Sequence, residues 1–285
     1  MNIKVKYLLP LITLLVVSQA VRSQEITAET VIAKHLDSIG TLAKRQSLKN
    51  IFAAGAGGFE SKLPVIKGIG KAVIVSDPND LYFLMGLNSR EYPFEKIGIF
   101  GTKVSLPFTT GGSGRSPLGA FLAEHSGVLT DDLFCGGMSM RWIKGLADSK
   151  KLKFKYSGTR KIDGVDAHVL DILLTGGGSD DFTVRAFFNA ENFHHIRTEY
   201  HRETQIGSLT FGQRNQTSNS KLDLVEEFSD FRESDGLTFP FFYRVTFRSN
   251  SATQVFETSW HIRFQGYYLN QNLASDFFTF DVKQK

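Results

Sequence analysis

The sequence predicts a mainly antiparallel β domain with a curved sheet and a few helices. Three observations point to it. Strand-like segments follow one another through short turns, among them Asp163-Gly164 and Asp235-Gly236, the usual loops of two-residue hairpins. Several segments alternate apolar and polar residues along their length, as strands with one buried face do. Glycines at 55, 57, 58, 68 and 70 fall inside the early strands, where they allow bulges, strong curvature and close approach of another element.

The elements follow in order. A first helix is expected after Thr27, which can cap it. Ile26 and Val31 stand at staple spacing, Val31, Ile32, His35, Leu36 and Ile39 keep a 3.6-residue period, and Gly40 can end it. Strands are then expected over Ile51 to Glu60, Ile66 to Ser76, Leu81 to Leu87 and Phe94 to Leu106, joined by turns such as Asp77-Pro78-Asn79-Asp80. The pattern breaks at about Thr109. Ser116 and Pro117 open a helix in which Leu118, Phe121 and Leu122 share a face, and a second helical stretch lies within Leu129 to Leu146. Hairpins return with Leu152–Ile162, Val165–Leu174, Phe182–Phe188, His194–Arg202, Leu222–Phe231 and Leu237–Arg248, and a last strand covers Phe256 to Tyr268. Segments 176–181 and 212–220 read as loops.

The first residues carry Lys4 and Lys6, an apolar run from Tyr7 to Val17, and small or polar residues through Ser18, Ala20 and Ser23. That layout is a cleavable export signal, and the run is shorter than the roughly 20 residues a spanning helix needs. The expected organisation is a signal over 1–23 and a single domain over 24–285 with a helical insertion at about 109–148. Near the cleavage site there is no Cys to accept a lipid, so the mature chain is expected in solution. Cys135 is the only cysteine, which leaves no intramolecular disulfide and places the burden of stability on a core. Three of the 33 Lys and Arg residues lie within the signal, leaving 30 against 29 Asp and Glu. A nucleic-acid partner therefore loses its electrostatic basis. The cluster Lys150, Lys151, Lys153, Lys155 reads as a solvated strand edge.

The strongest functional clue is an aromatic face. Leu237, Phe239, Phe241, Tyr243, Val245 and Phe247 alternate with mostly polar residues, and Phe256, Trp260, Ile262 and Phe264 repeat the pattern. With 25 Phe in the chain, such a curved face must be covered by helices or filled by a ligand. Both a sealed core and a cavity for an acyl chain satisfy that requirement. Signs of catalysis are weaker. The Gly111–Ser116 run lacks the Lys of a phosphate loop. His194 and His195 face opposite sides of a strand, although His195 and His201 would share one. Asp131-Asp132 and Asp180-Asp181 read as solvated turns, Cys135 as a buried apolar thiol, and no nucleophile elbow occurs. No enzyme activity, metal or cofactor is expected.

The order of signal, first helix with Lys34-His35-Leu36-Asp37-Ser38-Ile39-Gly40, curved sheet, helical insertion and tail Leu269-Asn270-Gln271-Asn272 resembles the LolA/LolB-like lipoprotein-carrier group. Glu226-Glu227-Phe228-Ser229-Asp230-Phe231-Arg232 and Asp235-Gly236-Leu237-Thr238-Phe239-Pro240 are similar to paired hairpin strands of such exported proteins. The resemblance implies an incomplete, half β-barrel that wraps an apolar cavity under a helical lid. It also implies a periplasmic location, or secretion where the host lacks an outer membrane. The implied ligand is a lipid or lipoprotein acyl chain, carried by a monomer with transient membrane-protein partners. The expected cavity is lined by Phe239, Phe241, Tyr243, Val245, Phe247, Trp260, Ile262 and Phe264. The expected lid is the first helix together with Leu118, Phe121 and Leu122. The strands between Ile51 and Leu87 hold no Arg in the place where the carrier itself keeps one to latch its lid.

Overall fold

The structure, a computed structural model, describes residues 26–90, 92–107, 114–147, 152–174, 182–207, 217–250, 255–274 and 277–278. The expected signal, residues 111–113 of the glycine-rich run, Lys150, Lys151, and the residues 176–181 and 212–216 that were expected as loops, Asp180 and Asp181 among them, lie outside those residues. Helix α1 (Ala28–Ile39) starts where Thr27 Oγ1 accepts the Thr30 amide, and the short α2 (Leu42–Gln46) follows. Strands β1 (Ile51–Lys62), β2 (Val65–Ser76), β3 (Asp80–Leu87), β4 (Phe94–Phe100) and β5 (Lys103–Ser105) form a first antiparallel meander. Helices α3 (Pro117–Glu124), α4 (Gly127–Thr130) and α5 (Met140–Ala147) come next, with a 3-10 turn at Gly136–Met138 before α5. A second meander holds β6 (Leu152–Ile162), β7 (Val165–Leu174), β8 (Thr183–Asn189), β9 (His195–Gly207), β10 (Thr217–Ser234), β11 (Leu237–Asn250) and β12 (Val255–Leu269).

The two meanders join through antiparallel pairing of β1 with β12. One open twelve-stranded sheet results, in the order β5-β4-β3-β2-β1-β12-β11-β10-β9-β8-β7-β6. The residues predicted a curved antiparallel sheet and the resemblance an incomplete barrel, and the open sheet agrees with both. Its topology dictates the position of the cover. β5 and β6 are opposite edges of the sheet, so the chain linking them must cross one face, and α3, α4 and α5 pack into the core on that face. α1 lies there too, against β6 and β11.

The Asp163-Gly164 and Asp235-Gly236 turns have positive φ at both positions, with Ile162 paired to Val165 and Ser234 to Leu237. Those are the primed turns that suit the twist of paired strands. The strand register shifts between Ala54 and Gly55. A Cβ on Gly55 would lie 2.0 Å from the Arg263 carbonyl oxygen, so the bulge that bends β1 over β12 needs glycine.

Three expectations are corrected. The strand expected over Phe94 to Leu106 is a hairpin, because Gly101 takes a left-handed conformation (φ 57°) and Phe100 pairs with Lys103. Residues Thr217–Ser220, expected in a loop, form the start of β10, laddered to Thr204–Gly207 of β9. His195 and His201 do not share a face. An irregularity where Phe187 and Phe188 of β8 meet Arg197 and His195 of β9 reverses the alternation: His195 and Thr198 are buried, while His201 turns outward to Asp223. Lys153 and Lys155 do lie exposed on the edge strand β6.

Candidate functional site: the covered aromatic face

Alternation puts most of the predicted residues together on the covered side of the sheet. Phe239, Tyr243, Val245, Phe247, Trp260, Ile262 and Phe264 are buried and share one continuous core with the cover, while Phe241 is half-buried against Tyr267. Phe239 stacks on Tyr267 with ring centroids 4.5 Å apart. On the cover, Leu118, Phe121 and Leu122 are buried, and Phe121 touches Phe182 before β8 and Phe247 of β11. The structure therefore brings the predicted sheet face and the predicted cover helix together.

The cover is fastened by polar contacts that the sequence reading missed. Glu226, wholly buried on β10, accepts from Tyr200 of β9 (2.8 Å), Tyr243 of β11 (2.7 Å) and the Cys135 amide of the cover (2.8 Å). Desolvation pushes its carboxyl up to about 7, against the pull of those donors. Glu95, buried on β4, accepts from the Tyr92 hydroxyl and from Ser116, which also caps α3 by accepting the Gly119 amide at 2.8 Å. Burial raises the Glu95 carboxyl to about 8. Ser76 of β2 lies 3.2 Å from Ser139 and accepts the Met140 amide at 3.0 Å.

On the cover side, Arg141 of α5 pairs with Asp132 and donates to the carbonyls of Asn79 and Gly101, in the turns after β2 and β4. Asp132 is thus an anchor and not the solvated turn residue expected from sequence. His35 of α1 completes the set. Its Nδ1–H donates to the Phe193 carbonyl (3.0 Å), and its Nε2 accepts from the Trp142 indole of α5 (3.3 Å). The second bond needs the neutral ring, and burial lowers its pKa to about 3.

A signal for the two buried carboxylates was present in the sequence. Glu226 lies between Leu224 and Phe228 in the inward register, and Glu95 stands two before Ile97 and four before Ile99. A charge at an inward position of an alternating strand marks a buried polar contact. Cys135 is buried as expected, but among polar neighbours. Its thiol is pushed well up by burial and by Glu226, which favours the neutral thiol over the thiolate.

Beside the cover lies a cleft of about 270 Å3, between the start of α3 and the ends of β1 and β12. Phe59, Pro64, Ile66, Tyr92, Pro117 and Phe256 make up most of its wall. Phe59 stacks on Tyr92 with centroids 4.3 Å apart and lies 5.4 Å from Trp260, so the cleft ends on a ring of the covered face.

No family model matches the chain, and no curated protein does. Its structure is similar to that of a LolA superfamily protein from Nitrosomonas europaea, with 14% identity and a TM-score of 0.49 over 90% of this chain and 99% of that one. It is also similar to a DUF1329 family protein from Desulfovibrio piger, with 10% identity and a TM-score of 0.42 over 88% and 96% of the two chains. A Vibrio parahaemolyticus domain described as an outer membrane lipoprotein-sorting protein gives 10% identity and a TM-score of 0.44 over 87% and 97%. These likenesses concern overall architecture.

Proposed function

We propose that this chain is an exported, soluble carrier or binding protein of the cell envelope, and that it takes an apolar ligand, a lipid or lipoprotein acyl chain, beneath its helical cover. The observation that carries the reading is the mainly apolar cleft at the margin of the cover, whose inner wall is continuous with the aromatic face through Phe59 and Trp260. The cover swings from the sheet, the ligand replaces its apolar contacts with Phe239, Phe241, Tyr243, Val245, Phe247, Trp260, Ile262 and Phe264, and Leu118, Phe121 and Leu122 close again over the chain. Exchange of one apolar contact for another costs little, because each Å2 kept from water is worth about 25 cal/mol whichever partner covers it. The layout of the first 23 residues supports export to a periplasm, or secretion from a host without an outer membrane. Handover would involve transient contact of the monomer with membrane proteins. The site as read has no nucleophile, metal or cofactor role.

Delipidated protein titrated with a fluorescent fatty acid tests the reading. Saturable uptake that a non-fluorescent long-chain amphiphile displaces supports it, and folded protein that takes up neither a fatty-acid nor an alkylamine probe overturns it. Native mass spectrometry of protein from its own envelope would then identify the natural ligand. A second reading, a sealed interaction domain of the envelope, is favoured by the complete burial of Trp142, Phe134 and Trp260 at the cover interface, and it predicts no uptake.

A further inference from the structure

Under the 3-10 turn of the cover, the sheet presents hydrogen-bond acceptors. Glu226 Oε1 accepts the Cys135 amide at 2.8 Å, and this is the one donor to that carboxylate that comes from the cover, since Tyr200 and Tyr243 belong to the sheet. His195 lies beneath the residue after Cys135, Gly136. Its Nε2 is 3.0 Å from the Arg197 carbonyl and 2.9 Å from the Thr198 hydroxyl, and the tautomer that donates from Nε2 to the carbonyl leaves Nδ1 an acceptor. That Nδ1 is buried and has no hydrogen-bond partner among the described residues. It points toward Gly136, where an added Cβ would lie 3.0 Å from it. The rings around these two acceptors also suit a cation: Phe228 lies 4.8 Å from the His195 ring and 5.4 Å from that of Tyr243.

When the cover leaves, Glu226 loses its amide donor and Nδ1 of His195 still has none. A buried carboxylate short of a donor is costly, and a ligand that supplies N–H groups removes that cost. A fatty-acid carboxylate would instead meet like charge. We propose that Glu226 and His195 form the head-group subsite of the covered face, and that its ligand is an amphiphile whose polar end is an ammonium or amine donor, not a carboxylate. This rests on the uptake of an apolar chain proposed above and names the class of its head.

The test compares dodecylammonium with dodecanoate, equal in chain length, binding to the full chain by calorimetry. Dodecylammonium is expected to bind at least about tenfold more tightly at about pH 8, the gain of a charge-assisted hydrogen bond. Glu226→Gln, which keeps shape and removes the charge, is expected to bring the two affinities within about threefold. Wild-type protein provides a check that needs no variant. The groups facing Glu226 are the Tyr200 and Tyr243 phenols and the Cys135 thiol, all pushed well up, and His195 is held well below its ordinary value, so these stay neutral near neutral pH. The preference for the ammonium is therefore expected to grow as pH rises through about 7. A preference that is flat with pH, equal affinities in the wild type, or a preference unchanged by Glu226→Gln each overturns the subsite while leaving uptake standing. Binding of neither probe overturns both.

Discussion

Glu95 and Glu226 stand where the strand alternation calls for apolar side chains, and burial raises their carboxyls to about 8 and about 7. A carboxyl whose folded value is raised contributes stability that is complete below its ordinary value of 4.5 and is lost as pH climbs through the raised one. His35 has the opposite sign. Lowered from 6.5 to about 3, it contributes stability that is complete above 6.5 and is lost as pH falls toward 3. Stability is therefore expected to peak between about pH 4.5 and 6.5 and to fall by a few kcal/mol toward pH 8.5. Urea midpoints across that range check the shape, and Glu95→Gln with Glu226→Gln should flatten the alkaline limb alone. Arg141 is a different kind of contact, a cation held by Asp132 and two turn carbonyls. Arg141→Ala strands those partners and is expected to cost about 3 kcal/mol. Hydrogen exchange should show the loss in α4 and α5, with the strands β10, β11 and β12 still protected.

At the scale of elements, the end of α1 depends on one close approach. Gly40 has φ 153°, and a Cβ there would lie 2.6 Å from Leu237 Cδ2 and 2.9 Å from the Gly236 carbonyl, at the turn between β10 and β11. Gly40→Ala should push helix and hairpin apart at a cost of about 2 kcal/mol, read from chemical denaturation with unchanged helical and strand signal. The role of Gly40 as a helix end was legible from its place after a periodic run, but its contact with a turn nearly two hundred residues later was not. The same division holds elsewhere. The β6–β7 and β10–β11 hairpins were legible because Asp-Gly admits positive φ at two successive positions. The β4–β5 hairpin was not, because Gly101-Thr102 carries no turn signature of its own within a strand-like run and gets its support from distant groups, the Asp80 carboxylate on its amide and Arg141 on its carbonyl. The outward turn of His201 was hidden for a related reason. The irregularity in β9 depends on its neighbour β8 and leaves no residue signature of its own.

At the scale of the whole molecule, the open sheet makes the cover unavoidable: a chain that ends one meander at β5 and begins the next at β6 must cross the face between the two edges. The aromatic residues of that face were legible from alternation and the two buried carboxylates from their inward positions, whereas the partners that fasten the cover were not, since most of these contacts join residues far apart in sequence. Ser76 and Ser139 show this, 63 positions apart with hydroxyls 3.2 Å from one another. They also offer a direct test of whether the cover must move. Ser76→Cys with Ser139→Cys places two thiols across the junction of β2 and the segment leading into α5, close enough for a disulfide to form with small adjustment. Cys135 is buried and its thiol is pushed well up, so it should not compete in the oxidation. The reduced variant should take up a fluorescent fatty acid as the wild type does, while the oxidised form should do so at least about tenfold more slowly, a barrier increase of about 1.4 kcal/mol or more. Reductant should restore the rate. Equal rates in both forms would mean that ligand enters through the Phe59 and Phe256 cleft without the α5 side of the cover leaving the sheet, and the moving part would then be confined to the start of α3.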